Sequence, residues 1–144
     1  MREILFRGKG TCNLNAGKWI YGNYVKDFWG RGEEHGIIPI DKEKGGYCEV
    51  IPETVGQYTG LTDKNGTKIF EEDICRFREW SNGDMCWIGK VHYEHQQFVI
   101  SGHKNKECES DFLLVLSRFI PENIEVIGNI HDNPELLKGE TDNA

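Results

Sequence analysis

Apolar positions in this chain alternate with polar ones or come in short runs, the period of strands rather than of helices. Ile4-Leu5-Phe6, set between charged residues, predicts a first strand. Residues 18–25 predict a second, with Trp19, Tyr21 and Asn23 on one face. Residues 27–46 hold five glycines, a mixed charge run and one apolar island, Ile37-Ile38-Pro39-Ile40. They read as a long, flexible connection with one short strand. Residues 47–51 are the next strand candidate, and Pro52 stands where no ladder donor is needed.

The pattern sharpens over residues 54–74. Asp63-Lys64-Asn65-Gly66 is the strongest turn signal, since Asp braces a turn through its side chain and Gly accepts positive φ. Lys68-Ile69-Phe70 is a short strand. Residues 73–78 follow as another, with Ile74, Arg76 and Arg78 on one face and Cys75 and Phe77 on the other. A turn is expected at residues 80–84, then β-rich runs at 85–93 and 97–101 with a polar corner between them. Residues 110–117 fit either a buried strand or a short helix capped by Ser110. Residues 123–130 alternate as a strand, with Ile124, Val126 and Gly128 opposite Glu125, Ile127 and Asn129. Asn133-Pro134-Glu135 is a helix start that Gly139 stops. No linker divides the chain. The expectation is one domain over residues 1–138 and a frayed tail at 139–144.

Composition sets limits on function. The chain has 144 residues, 38% hydrophobic and 28% charged, which is ordinary globular usage. Its longest apolar run, Phe112 to Leu116, is five residues, against the roughly 18 that a membrane span requires. No signal peptide is read at Met1-Arg2-Glu3-Ile4, so a cytoplasmic protein without membrane partners is expected. Five cysteines (Cys12, Cys48, Cys75, Cys86, Cys108) lie at irregular gaps without a CxxC pair. Reduced, partly buried thiols are therefore expected rather than disulfides or a zinc knuckle. The net charge of −7 falls wholly in residues 61–144. Two readings stand for that acidity: solubility, or an acidic surface offered to a basic partner.

Candidate chemistry is thin. Glu71, Glu72 and Asp73 put three carboxylates in succession, which fits a solvated acidic turn better than a catalytic pair across a cleft. His92 and His95, with Cys86, Cys108 and His103 near in sequence, match no structural zinc spacing. Three residues apart at a strand end, the two imidazoles are expected to face opposite sides. Gly8-Lys9-Gly10-Thr11 reads as a loop between strands, not a phosphate loop. Trp19, Tyr21, Tyr24, Phe28 and Trp29 interleave with Lys18, Lys26 and Arg31, and Trp80 and Trp87 form a second aromatic group. Bases stack on such aromatics in single-strand binders, whereas core and interface packing is their commoner use.

Three blocks carry a resemblance to a known family. They are Arg2-Glu3-Ile4-Leu5-Phe6-Arg7-Gly8 with Lys18-Trp19-Ile20-Tyr21-Gly22, the central stretch from Glu53 through Gln57-Tyr58-Thr59-Gly60 to Ile74, and the closing stretch from Glu125 to Leu137. Together the chain resembles the YopX family of phage and prophage proteins. That resemblance implies a mainly β, partly barrel-like fold. With the helix start read at residues 133–135, the expectation is a mainly β fold, or α+β with minor helix, in partly open barrel-like antiparallel sheets with a short C-terminal helix. The resemblance implies no reaction, catalytic residue, cofactor or metal. The family pattern reads Glu-Gly-Asp where this chain has Glu71-Glu72-Asp73, so Glu72 is expected to be strained if that glycine takes positive φ. The signature positions are Gln57, Tyr58, Thr59, Gly60, Asp63, Gly66, Glu71, Asp73, Gly128, Asn129, Asn133 and Pro134. They either build turns or offer an interaction surface. The leading expectation is a non-catalytic accessory protein with a protein partner. A nucleic-acid-binding β-barrel using residues 18–31 is the alternative, and a metal protein or enzyme built on His92, His95 and Cys86 is the third. Self-association through open strand edges is compatible with any of them.

Overall fold

The computed structural model describes residues 3–11, 13–78, 87–104 and 112–138. Cys12, Cys86, Cys108, Ser110, the turn expected at 80–84 and the tail at 139–144 lie outside the described residues. Contacts group the chain into two compact units, Met1–Tyr58 and Thr59–Ala144.

The first unit is built on strands β1 (Phe6–Lys9), β2 (Trp19–Lys26), β3 (His35–Pro39), β4 (Cys48–Glu49) and the opening of β5 (Gly56–Thr62). They pair antiparallel in the order β4-β3-β2-β1-β5. Ile20, Ile37, Cys48 and Val50 form its core, with Phe6 and Val55 packed against them. Alternation along β2 keeps Ile20 on this core face and Trp19, Tyr21 and Asn23 on the other. The first strand differs from expectation: its ladder opens at Phe6, and Gly8 and Lys9 lie within it rather than in a loop. The reason is a close approach. Gly8 pairs with Ile20, and a Cβ there would stand 3.0 Å from the Val50 side chain. The strand expected at 47–51 shrinks to Cys48–Glu49, with Val50 bridging Gly10.

In the second unit the later part of β5 neighbours β6 (Lys68–Phe70). Strands β7 (Asp73–Phe77), β8 (Trp87–Glu94), β9 (Gln97–Lys104), β10 (Phe112–Val115) and β11 (Ile124–Asn129) form an antiparallel sheet of order β10-β9-β8-β7-β11. Its core is Ile69, Cys75, Phe77, Val91, Ile100, Leu116 and Ile124. Cys75 and Phe77 share the core face as the sequence predicts, while Ile74, on the opposite face, is also buried. Residues 112–115 settle as strand, followed by a 3-10 turn at Leu116–Arg118. The short helix α1 (Glu135–Lys138) starts just after Pro134. The fold is thus mainly β, and among the described residues the sheets remain open, with no closed barrel.

Two local features escape simple alternation. In β11, Val126 pairs with Cys75 but Gly128 pairs with Ile74, so Ile127 is an extra residue at a bulge. The expected grouping of Gly128 with Val126 on one face fails there. The β8–β9 hairpin turns through His95 and Gln96 at φ 53° and 66°, a positive-φ pair more often built from Asn and Gly. No helix among the described residues is long and apolar enough to cross a membrane.

Candidate functional site

The signature residues separate into those that close the backbone and those that lie along strands. Asp63 opens the turn after β5 and is only 2% exposed. One carboxylate oxygen, Oδ1, accepts the N–H groups of Asn65 at 2.8 Å and Thr67 at 2.9 Å. The other, Oδ2, accepts the N–H of Val126 at 2.9 Å. The Lys64 N–H donates to the Ile124 carbonyl at 3.0 Å, and Lys64 Nζ meets Glu125 Oε2 at 2.7 Å. The turn therefore covers the outer edge of β11, whose open backbone groups would otherwise be free to pair with another strand. Gly66 ends it at φ 79°.

A second turn links β6 to β7. Asp73 is also 2% exposed, and its Oδ2 accepts the Phe70 N–H at 2.8 Å. The expected solvated acidic turn is corrected here: Asp73 is inside, closing the turn, while Glu71 and Glu72 are half-buried. Glu72 sits at φ 73°, the conformation that favours glycine, the residue found in the family pattern at this place. Thr59 Oγ1 donates to the Ile69 carbonyl at 2.8 Å and accepts the Leu61 N–H at 3.2 Å, with Gly60 between them at φ 88°.

The third turn follows β11. Asn129 Oδ1 accepts the N–H groups of His131 and Asp132 at 3.0 and 2.9 Å, and its own N–H donates to Asn133 Oδ1 at 3.3 Å. Gly128 is required by that side chain: a Cβ there would lie 2.5 Å from Asn133 Oδ1. Pro134 is exposed at the foot of α1. In the first unit, Gln57 stands opposite Phe6, and the Tyr58 N–H donates to the Leu5 carbonyl at 2.8 Å.

Exposed aromatic rings are gathered instead at the β2–β3 connection of the first unit. Residues 27–34, expected to be part of a flexible connection, are tied together by side chains. The Trp29 N–H donates to Glu34 Oε1 at 2.7 Å, the Asp27 N–H donates to the Glu34 carbonyl at 2.8 Å, and Asp27 Oδ1 accepts from the Gly32 N–H. This path carries Phe28 and Trp29 to the surface at 46% and 58% exposure. The Phe28 ring stacks on Tyr47 with centroids 4.5 Å apart, and the Trp29 ring stands edge-on to both. Tyr47 lies over Gly36, where a Cβ would come within 2.3 Å of its ring. Burial comes first, then the carboxylates of Glu34, Glu49 and Asp27, in holding the Tyr47 phenol above its ordinary pKa, with Arg31 opposing them. The sequence placed Phe28 and Trp29 in an aromatic stretch but treated Tyr47 as the start of a strand. Only the glycine at 36 hints at the ring that covers it.

The remaining candidates lie elsewhere. Trp19 carries the Arg7 guanidinium over its face at 4.5 Å and the Lys9 ammonium at 5.4 Å. The rings of His92 and His95 both approach Glu94, at 3.8 and 3.3 Å, correcting the expectation that they face opposite ways. A turn at 95–96 folds the second ring back toward the strand end. No group of three or more His, Cys, Asp or Glu among the described residues is placed to hold a metal ion. In the second unit an apolar cleft of about 140 Å³ opens beside Leu61, Leu116 and Phe119, smaller than the roughly 300 Å³ at which small-molecule sites begin.

Comparison with known proteins agrees with this architecture. No curated protein matches the chain. A solved structure, protein EF1440 from Enterococcus faecalis, is similar at 23% identity and a TM-score of 0.55, over 95% of this chain and 99% of that one. At that identity the likeness speaks for the fold. The family model described as YopX protein matches residues 13–138, nearly the whole chain with all three of the turns above, and the chain belongs to the YopX family.

Proposed function

We propose that this is a non-catalytic accessory protein of a phage or prophage, and that it acts by holding another protein against the aromatic surface of Phe28, Trp29 and Tyr47. The observation that carries the reading is the exposure of two large rings on a loop whose backbone is fixed by Glu34 and Asp27. Tryptophan and tyrosine are enriched where proteins bind one another, because a large rigid ring contributes contact area at low entropic cost. A loop already ordered loses less freedom on binding than a mobile one. The signature carboxylates and amides support the same reading indirectly. Asp63, Asp73 and Asn129 spend their polar atoms on nearby N–H groups, which fits a scaffolding part. Nucleic acid is the less favoured ligand here, since stacking grooves for single strands are also positively charged, and three carboxylates act on Tyr47 against one guanidinium.

The test is a photo-cross-linking amino acid at position 28 of the full chain, produced in the host cell, with the same group at Leu14 as control. Leu14 is 86% exposed and lies in the 3-10 turn Asn13–Asn15 between β1 and β2. A discrete protein adduct from position 28 alone is expected. A nuclease-sensitive adduct, or equal adducts from both positions, rejects the proposal.

A further inference from the structure

Resting on the contact surface just proposed, we infer that its partner presents a cationic segment, with arginine or lysine side chains laid on the Phe28–Trp29–Tyr47 rings. The inference comes from how charge and rings are arranged together. Trp29 is more than half exposed, and an exposed indole face attracts a guanidinium or ammonium through its quadrupole. The loop that presents it is anchored through the Glu34 carboxylate, bonded to the Trp29 N–H, and through Asp27. Glu49, exposed on the neighbouring strand β4, stands directly across from Gly36, over which the Tyr47 ring lies. The three carboxylates are thus gathered about one aromatic surface, opposed by Arg31 alone among the charges acting on Tyr47. A cation arriving here finds an aromatic face beside three carboxylates that Arg31 offsets only in part, whereas an acidic segment meets repulsion. Planar guanidinium groups suit the site best, because they stack on rings while keeping their N–H groups free for carboxylates.

The experiment titrates the isotopically labelled full chain with two short capped peptides, one alternating arginine and glycine and one alternating glutamate and glycine. Amide and indole signals of residues 27–34 and 47 are followed by NMR. Saturable shifts with the arginine peptide, confined to those residues, are expected. They should weaken several-fold on raising salt and be lost in Trp29→Ala. Glu49→Lys, at an exposed position, should weaken binding by about tenfold, the effect of one well-placed charge pair. Equal shifts with both peptides, or shifts spread over the acidic second unit, overturn the inference. So does retention of binding by Trp29→Ala. The cross-linking experiment separates this claim from the one beneath it. A protein adduct at position 28 whose captured segment is acidic or neutral overturns the cationic partner and leaves the contact surface standing. Absence of a specific protein adduct removes the contact surface itself.

Discussion

The central turns and the β2–β3 loop use their residues in opposite senses. In the turns around Asp63, Asp73 and Asn129, polar side chains go inward and are satisfied by backbone N–H groups. In the loop, apolar rings go outward, and polar side chains from Asp27 and Glu34 fold the backbone that displays them. Burying a carboxylate is costly unless its oxygens are bonded, and here the bonds that offset that cost hold the backbone in its path. Leaving Trp29 58% exposed forgoes part of the roughly 1.5–3 kcal/mol that full burial of a large apolar side chain contributes, which is compatible with the contact surface proposed above. One region specifies shape and the other offers surface.

The sharpest way to break this contrast is Asp63→Ala. It strips three N–H groups of their acceptor, one of them on β11, and bonds to charged groups are worth about 1.5–3 kcal/mol each in context. A loss of about 3 kcal/mol is expected in urea unfolding, with Asp63→Asn losing about half as much because one oxygen remains. A loss below about 1 kcal/mol would mean that the turn is held by something other than its carboxylate. Gly128→Ala comes next. The new methyl meets Asn133 Oδ1 at 2.5 Å and must push it from the Asn129 N–H, for an expected loss of about 1–2 kcal/mol. If Asn133→Ala restored most of that loss in the double variant, the collision would be identified as its cause.

How much of this was readable in advance follows the range of each interaction. The Asp63–Gly66 turn was legible because its cause, Asp and Gly three apart, is local. Strands β6, β7 and β8 followed from short apolar runs with turn residues beside them. The bulge at Ile127 was not, since the alternation of Ile124, Val126 and Gly128 looks unbroken until the partner strand is known. Nor was the Asp63–Val126 bond, which joins residues 63 positions apart. The aromatic surface was half legible: Phe28 and Trp29 are neighbours in sequence, while Tyr47 reaches them through the folding of β3 and β4. Glu72 is the reverse case, where the family pattern foretold a positive φ at a residue poorly suited to it.

That residue gives a prediction of sign. Glu72→Gly is expected to stabilise the chain by about 0.5–1 kcal/mol, because glycine adopts φ 73° without strain. The gain is reduced by glycine's greater freedom when unfolded and by loss of the Glu72–Lys90 approach, which is long at 4.0 Å and therefore weak. Glu72→Ala removes the same carboxylate but keeps the Cβ, so it should give no such gain. Equal stabilities for the two variants would show that the turn bears no strain.

The smallest expected effect tests the other side of the contrast. Trp29→Ala removes the largest ring of the loop, yet its neighbours Phe28 and Tyr47 keep their own stacking at 4.5 Å, and the Trp29 N–H still reaches Glu34 because that bond is from the backbone. What is lost is two edge-on ring contacts at a surface position, each worth about 0.5 kcal/mol where water competes. Stability should therefore fall by less than about 1 kcal/mol, against about 3 for Asp63→Ala, while cross-linking from position 28 to the partner disappears. The two readouts must part company for the comparison to hold. A large loss of stability in Trp29→Ala would make the ring a structural brace, and the exposed surface would then need no partner to account for it.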